Sequence, residues 1–399
     1  MKKTILGLYA SVVCIVLVFT SCSKNNDSIG ELVSPSETAK FPYSSLTPEQ
    51  QKEKLSSDAN AFLTQIQDIS DEKAFEVYNT FDNLTSINSP NVGGSEITSA
   101  EDIIKINQFY GKFTWQPSSK SWKEETANQL EFNFPVGTST GKIVVTGVSS
   151  GKSYTSDGTT VELPKQLLAK IYSGSTEVGS IQVNADLDAQ LMPNSATVSF
   201  NLGAYTYTQN YGKAAGKVTA TLKKGKTVLI NTVAVLAGNI DDLVDGSDNF
   251  SGNFTLQIMD NLAFSGTVDY ANYNKELNDL YDSCYPYSYP YPDNFDWDKA
   301  DENYAKGSAA IFNKYFDVYL VSTKEKTRIA KLFSKAVSYR ETLYNYWGDT
   351  IIGEYSYTYW EEVPMLRFND STEVEAQVYF SAGFDTVIKN FNKFLESFM

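Results

Sequence analysis

The spacing of hydrophobic positions changes once the chain passes residue 86. Before that point it is helical. In SLTPEQQKEKLSSDANAFLTQIQDIS, residues Leu55, Ala59, Phe62, Leu63, Ile66 and Ile69 fall on one helical face. Thr47, Pro48 and Gln50 form a start signal: a capping hydroxyl, a proline at the first helical position and a glutamine that closes the box. DEKAFEVYNTFDNL repeats the period through Ala74, Phe75, Val77, Tyr78, Phe81 and Leu84. Two consecutive amphipathic helices are predicted within 46–86.

From about residue 108 the period is two. GKFTWQPSSKSWKEE reads as a hairpin around Gln116–Lys120, with Trp115 and Trp122 flanking the turn. Alternation continues through Leu130, Phe132, Phe134 and Val136, and through Ala196, Val198, Phe200 and Leu202. It returns at Val218, Ala220 and Leu222, at Phe254, Leu256 and Ile258, and at Phe264, Gly266, Val268 and Tyr270. Turn clusters (GKS, SDG, KKGK, DGSD, MDN) separate these runs, as in an antiparallel sheet with one wet face. Without crossover helices between the strands, a parallel α/β sheet is disfavoured. LLAKIYSGSTEVGSIQV echoes VTATLKKGKTVLINTVAV, each a strand, a glycine bend and a strand. That echo fits a duplication or merely two similar hairpins.

The last third is mixed. YPYSYPYPDNFDWDKADENY carries too many prolines for a central strand and reads as an ordered loop. A helix is expected from near Asp298 to Ile311. FDVYLV and RIAKLF, split by STKEKT, favour a hairpin, although Ser322 and Glu325 offer a helical capping box as the alternative. EYSYTYW is another strand. Phe384, Val387, Ile388, Phe391, Phe394, Leu395 and Phe398 form a terminal helical stripe that reads as core. The expected body, 46–399, is α+β: a large curved antiparallel sheet, sandwich or half-barrel-like, with amphipathic helices at both chain ends. It divides into a helical part (46–86), a β-rich part (108–275) and a mixed part (276–399).

The leader adds a location. Lys2 and Lys3, an apolar run from Ile5 to Phe19, and Thr20–Ser21 before Cys22 have the three-part layout of a secretory signal, 1–21. The run is shorter than the roughly 20 residues of a spanning helix, and no later stretch is long and apolar enough to cross a bilayer. Phe19, Thr20, Ser21 and Cys22 resemble a bacterial lipobox, with phenylalanine where leucine is usual. That resemblance implies a diacylated Cys22. Two acyl chains anchor stably where one binds only marginally. Ser23, rather than an aspartate, follows the cysteine, which by the same resemblance implies the outer membrane. Residues 22–45 are rich in Ser, Asn, Pro and Gly and read as a flexible tether.

Composition narrows the chemistry. Net charge is −15, or −17 once Lys2 and Lys3 leave, which argues against nucleic acid. The chain contains no histidine, which excludes Ser-His-Asp, Cys-His and HExxH centres. Of three cysteines, Cys14 lies in the leader, Cys22 is the lipidation candidate and Cys284 remains alone, so no internal disulfide is expected. No phosphate-binding glycine motif is present. Two acidic clusters are candidate calcium sites, through Asp245 and Asp248 in the first and Asp293 and Asp296 in the second. Neither has the EF-hand spacing, and turns or helix caps explain both. Tyr285, Tyr287, Tyr289, Tyr291 and Trp297 crowd one loop and are candidate ligand-stacking residues; packing against each other is the plainer use.

The lipobox-like leader, the Tyr/Asn-rich body and GKFTWQPSSKSWKE resemble lipoproteins of Bacteroidetes-type Gram-negative bacteria. The resemblance implies an envelope location and carries no residue role into the body. Three functions stay open: a non-catalytic lipoprotein binding a glycan or an envelope protein, a carrier of an apolar or lipid ligand, and a carboxylate-dependent glycan hydrolase. No cofactor is expected beyond the calcium candidates.

Overall fold

The computed structural model describes residues 32, 34–66, 68–92, 95–98, 109–156, 159–237, 251–286, 295–347 and 350–380. Cys22, Asp245, Asp248, Tyr287, Tyr289, Tyr291, Asp293 and the 384–398 stripe lie outside the described residues.

The described chain opens with a short helix, α1 (Pro35–Thr38), capped by Ser34 and closed by Glu37. Residues 34–45, read from sequence as tether, therefore belong to the packed body. Thr38 is buried and donates to Ser265 at 2.9 Å. Tyr43 bridges Arg328, whose guanidinium lies between the rings of Tyr43 and Tyr319. The signal missed was SPSE, a cap, a proline and a closing glutamate.

The two predicted helices are α2 (Pro48–Ile66) and α3 (Lys73–Ile87). Thr47 and Gln50 exchange the two capping-box hydrogen bonds, at 3.0 and 3.3 Å. Leu55, Ala59, Phe62 and Ile66 bury one face of α2; Ala74, Phe75, Val77 and Phe81 bury one face of α3.

A two-stranded ribbon, β1 (Asn91–Val92) with β2 (Ser95–Glu96), precedes the main sheet. The sheet then opens with β3 (Gly111–Gln116), β4 (Ser121–Glu125), β5 (Leu130–Val136), β6 (Ser139–Ser156), β7 (Thr159–Ser173) and β8 (Thr176–Leu187). It continues with β9 (Pro193–Leu202), β10 (Tyr205–Gly212), β11 (Lys217–Lys224), β12 (Thr227–Ala237), β13 (Ser251–Ile258) and β14 (Leu262–Asp269). It closes with β15 (Phe316–Ser322), β16 (Thr327–Trp347), β17 (Thr350–Arg367) and β18 (Glu373–Glu375). These sixteen strands form one sheet in which neighbours in space are neighbours in sequence from β5 to β18. All pairs are antiparallel except β3 with β5. The outer strands are short and charged, Ser121–Glu125 at one edge and Glu373–Glu375 at the other, which discourages further pairing.

The expected α+β class with a large antiparallel sheet is what the structure has. It adds a helical hairpin, α4 (Tyr270–Cys284) and α5 (Trp297–Tyr315), between β14 and β15, which still pair directly. Sequence reading anticipated α5 but carried the strand through Tyr270, which is the first residue of α4. Asp269 caps that helix by accepting from Asn272. Gly307 lets the two helices approach, since a Cβ there would sit 2.7 Å from Leu280. The 316–337 segment is the expected hairpin, and Ser322 Oγ accepts from Glu325 N within its turn. The two echoing segments are the β7–β8 and β11–β12 hairpins. Each has a positive-φ glycine (Gly174, Gly225) and a register shift at the same offset, after Ile171 and after Leu222.

Register shows how the sheet divides. One cross-strand row runs Leu130, Val145, Ala169, Ile181, Phe200, Tyr207, Leu222, Ile230, Ile258, Leu262. The helices cover this apolar face. Phe81 of α3 packs with Phe132 and Phe134 at 4.9 and 5.5 Å. Phe62 and Ile66 of α2 join Leu202, Tyr205, Leu222 and Leu229, and Leu55 joins Leu320 and Leu366. One residue along, the row is Gln182, Ser199, Thr208, Thr221, Asn231, Gln257, on the opposite, polar face.

Candidate functional site

Two places gather side chains with no evident task in the core. The first is the tip of the α4–α5 hairpin. Tyr285, just past α4, lies 4.9 Å from Tyr281, 5.8 Å from Tyr304 and 6.4 Å from Trp297, ring to ring. Phe295 meets Trp297 edge-on at 4.8 Å. Tyr281 and Trp297 remain half exposed, 51% and 49%. The Tyr285 hydroxyl donates to Asp301 at 2.6 Å; burial first, and that carboxylate second, push it above the usual tyrosine range. Of the predicted stacking residues, the structure thus brings Tyr285 and Trp297 together, chiefly to pack against each other and their neighbours.

The acidic candidates resolve in part. Asp296 is the N-cap of α5 and accepts from Lys299 N at 2.9 Å, the helix-cap use that the sequence suggested. Among the described residues no group of three or more Asp, Glu or Cys could hold a metal. Cys284 ends α4 as a half-buried free thiol.

The second place is where the end of β8 and the start of β9 meet the middle of the long β6–β7 hairpin. A cavity of about 440 Å³ opens there, lined by Ser150, Lys152, Lys165, Gln166, Asn184, Asp186, Ser195 and Thr197, with Ala185, Leu187 and Ala196 beneath. Its size lies within the roughly 300–1,000 Å³ of small-molecule sites. Its wall is built firmly. Lys152 Nζ reaches across to the carbonyls of Leu187 and Asp188. Asp188 Oδ1 accepts from Gln190 N and Met192 N, both at 2.9 Å, and Lys213 pairs with Asp188 at 3.1 Å. The Met192 N–H and then Lys213 hold the Asp188 carboxyl below the usual aspartate range. Ser150 Oγ closes on the Leu163 carbonyl at the irregularity of the long β6–β7 hairpin.

From this cavity a row of amides and hydroxyls crosses the sheet: Gln166, Asn184, Thr197, Asn210, Thr219. Gln166 and Gln182 both donate to Asn184 Oδ1, at 3.0 and 3.3 Å. Thr197 donates to Asn210 Oδ1 at 2.8 Å. Beyond them, the buried Asn210 Nδ2 and Thr219 Oγ1 have no hydrogen-bond partner among the described residues. Thr219 is 1% exposed. Buried groups of this kind are nearly always paired, so two adjacent orphans mark an unusual spot. None of these residues was singled out from sequence. The signal was present: Ser195, Thr197 and Ser199 of β9, Thr206, Thr208 and Asn210 of β10, and Thr219 and Thr221 of β11 alternate with the core-facing positions, where an ordinary wet face would carry more charge.

Several ionisable groups elsewhere are engaged in ion pairs. Asp68 meets Lys224, Glu276 meets Lys314 and Tyr315, and Glu373 meets Lys335 and Arg367; in each case the hydrogen bond to a lysine is the largest cause holding the carboxyl down.

No family model matches the chain, and neither the curated proteins nor the solved structures provide a match. What fold and site define is an α+β protein in which a sixteen-stranded sheet is helix-covered on its apolar face and carries a polar cavity lined by residues of four successive strands, β6 to β9.

Proposed function

We propose that this is a lipid-anchored envelope protein, held at the outer membrane through an acylated Cys22, whose body is a non-catalytic binder of a polar ligand. The leader motif supports the anchor. The observation that carries the binding reading is the cavity of about 440 Å³, walled by a lysine-clamped turn and continuous with a row of uncharged hydrogen-bonding side chains. An apolar-ligand carrier would use the other face, where Phe62, Phe75 and Phe81 are buried among the strands. No described helix is long and apolar enough to cross a membrane, a fact that says nothing about strands.

Two measurements test the two halves. Radioactive palmitate should label the wild-type chain and leave Cys22→Ala unlabelled; an unlabelled wild type overturns the anchor. Capture of the intact protein from its native envelope, followed by mass spectrometry, should return hydroxyl-rich or otherwise polar molecules. Stoichiometric recovery of an acyl lipid in the body would replace this reading with that of a carrier.

A further inference from the structure

We infer that the cavity between β8–β9 and the β6–β7 hairpin binds a carboxylate-bearing sugar, with Lys165 and Asn184 as its principal donors. This rests on the reading of the body as a ligand-binding unit and names the class of ligand.

Charge sets the sign of that ligand. The lining carries two lysines, Lys152 and Lys165, against one carboxylate, Asp186. One positive charge is left in excess, on a chain whose net charge is −15. Neither lysine is spent on a carboxylate. Lys152 Nζ donates to the carbonyls of Leu187 and Asp188, which are neutral partners, and an ammonium keeps a third N–H. Lys165 is exposed and forms no ion pair among the described residues. Asp188, behind the turn, is matched by Lys213 at 3.1 Å and does not change the balance. Asp186 is partly occupied, accepting from Asn194 at 3.2 Å.

The neutral groups set its shape. Asn184 Oδ1 accepts from Gln166 and Gln182, at 3.0 and 3.3 Å, which orients the amide and leaves Nδ2 without a protein partner among the described residues. Gln166 spends Nε2 on that bond and keeps Oε1 as an acceptor. Ala185, Leu187 and Ala196 supply an apolar floor. The cavity thus offers a cation, an amide donor, an amide acceptor and an apolar surface. A sugar acid answers all four, with its carboxylate, its hydroxyl oxygens, its hydroxyl protons and the C–H face of its ring. A carboxylate on an ammonium forms the stronger, charge-assisted hydrogen bond. A neutral sugar would leave the excess charge unused. A phosphate dianion would find a single charge in excess and Asp186 opposing it. An acyl chain would find a lining that is mostly polar.

The test is isothermal titration of the intact mature protein in detergent with the homotrimers of galacturonate, glucuronate and mannuronate. Maltotriose, mannotriose and inorganic phosphate serve as controls. At least one acid should give saturable heat that weakens several-fold as sodium chloride is raised, and no control should match it. Lys165→Met should weaken binding at least tenfold, while Lys165→Arg stays within about threefold of wild type. Asn184→Asp keeps the oxygen that Gln166 and Gln182 use but places a negative oxygen where the N–H groups were, and should also cost at least tenfold. An unchanged urea midpoint in each variant shows that the fold is retained. Silence with all three acids, or phosphate binding more tightly than any of them, would overturn the sugar-acid class. Neutral trimers that match the acids and ignore Lys165→Met would overturn it too, while leaving a ligand-binding body intact. Acid binding that survives both Lys165→Met and Asn184→Asp would remove the site from this cavity and end the assignment.

Discussion

Thr219→Val should stabilise the ligand-free protein, a sign opposite to that of most core substitutions. Thr219 sits on β11, 1% exposed, between Asn210 and Val233 on the flanking strands. Its hydroxyl is buried and has no partner among the described residues. A buried hydroxyl without a hydrogen bond costs about 1–3 kcal/mol by mutational measures. Valine replaces that oxygen with a methyl of nearly the same shape and keeps the branched side chain that suits a strand. The expected gain is therefore about 1–3 kcal/mol. Two residues on, Thr221 provides the control. Its hydroxyl donates to Asn231 Oδ1 at 3.2 Å, and Asn231 is 3% exposed. Thr221→Val strips a buried amide of that bond and should lose about 1–3 kcal/mol. Urea unfolding of both variants beside wild type reads the contrast as midpoint shifts in opposite directions at constant slope. A lowered midpoint for Thr219→Val would show that its hydroxyl has a partner, and the reasoning from orphaned groups would fall with it.

Three further outcomes follow from the packing and the ion pairs. Phe81→Ala empties the contact with Phe132, Phe134 and Trp122 and should cost about 3–5 kcal/mol in urea unfolding. Gly203→Ala should be more damaging than Gly225→Ala. Both glycines have φ near +60°, which costs an L-residue about 1–2 kcal/mol, but only at Gly203 would the Cβ displace the Glu72 carboxylate from its bond to Ala204 N. The Asp68–Lys224 pair predicts a pH profile. The lowered Asp68 contributes stability above the ordinary aspartate range that is lost as pH falls through its folded value; the raised Lys224 contributes below the ordinary lysine value and loses it as pH rises further. Lys224→Met should flatten both limbs of midpoint against pH, and an unchanged acid limb would remove this pair as its source.

The amphipathic segments were legible because one residue period suffices to read them. Leu55, Ala59, Phe62 and Ile66 point to a helix without knowledge of what they touch, and Phe132, Phe134 and Val136 do the same for a strand. The hairpin over 316–337 was legible for a similar reason, since β-branched and aromatic residues outweighed the Ser322–Glu325 cue. Helix α4 was not. Tyr270 continues the alternation of Phe264, Gly266 and Val268, and that local match hid the 3.6-residue spacing of Tyr270, Tyr273, Leu277 and Leu280 beyond it. The aromatic cluster was visible as composition, but that Tyr285 satisfies its hydroxyl on Asp301 depends on a neighbouring helix.

By itself the sequence determined what depends on short-range order: two amphipathic helices, the first with its cap, a run of alternating strands, and a histidine-free, acidic composition that removes whole classes of chemistry. Tertiary structure decided what depends on register. Only pairing places Gln166, Asn184, Thr197, Asn210 and Thr219, drawn from five strands, in one line, and only the line shows which amide nitrogens are left over. The physical reason is the two-residue pleat: shifting any one strand by a single position would turn its polar residues toward the helices and break the row, and nothing local to a strand records its neighbour's offset.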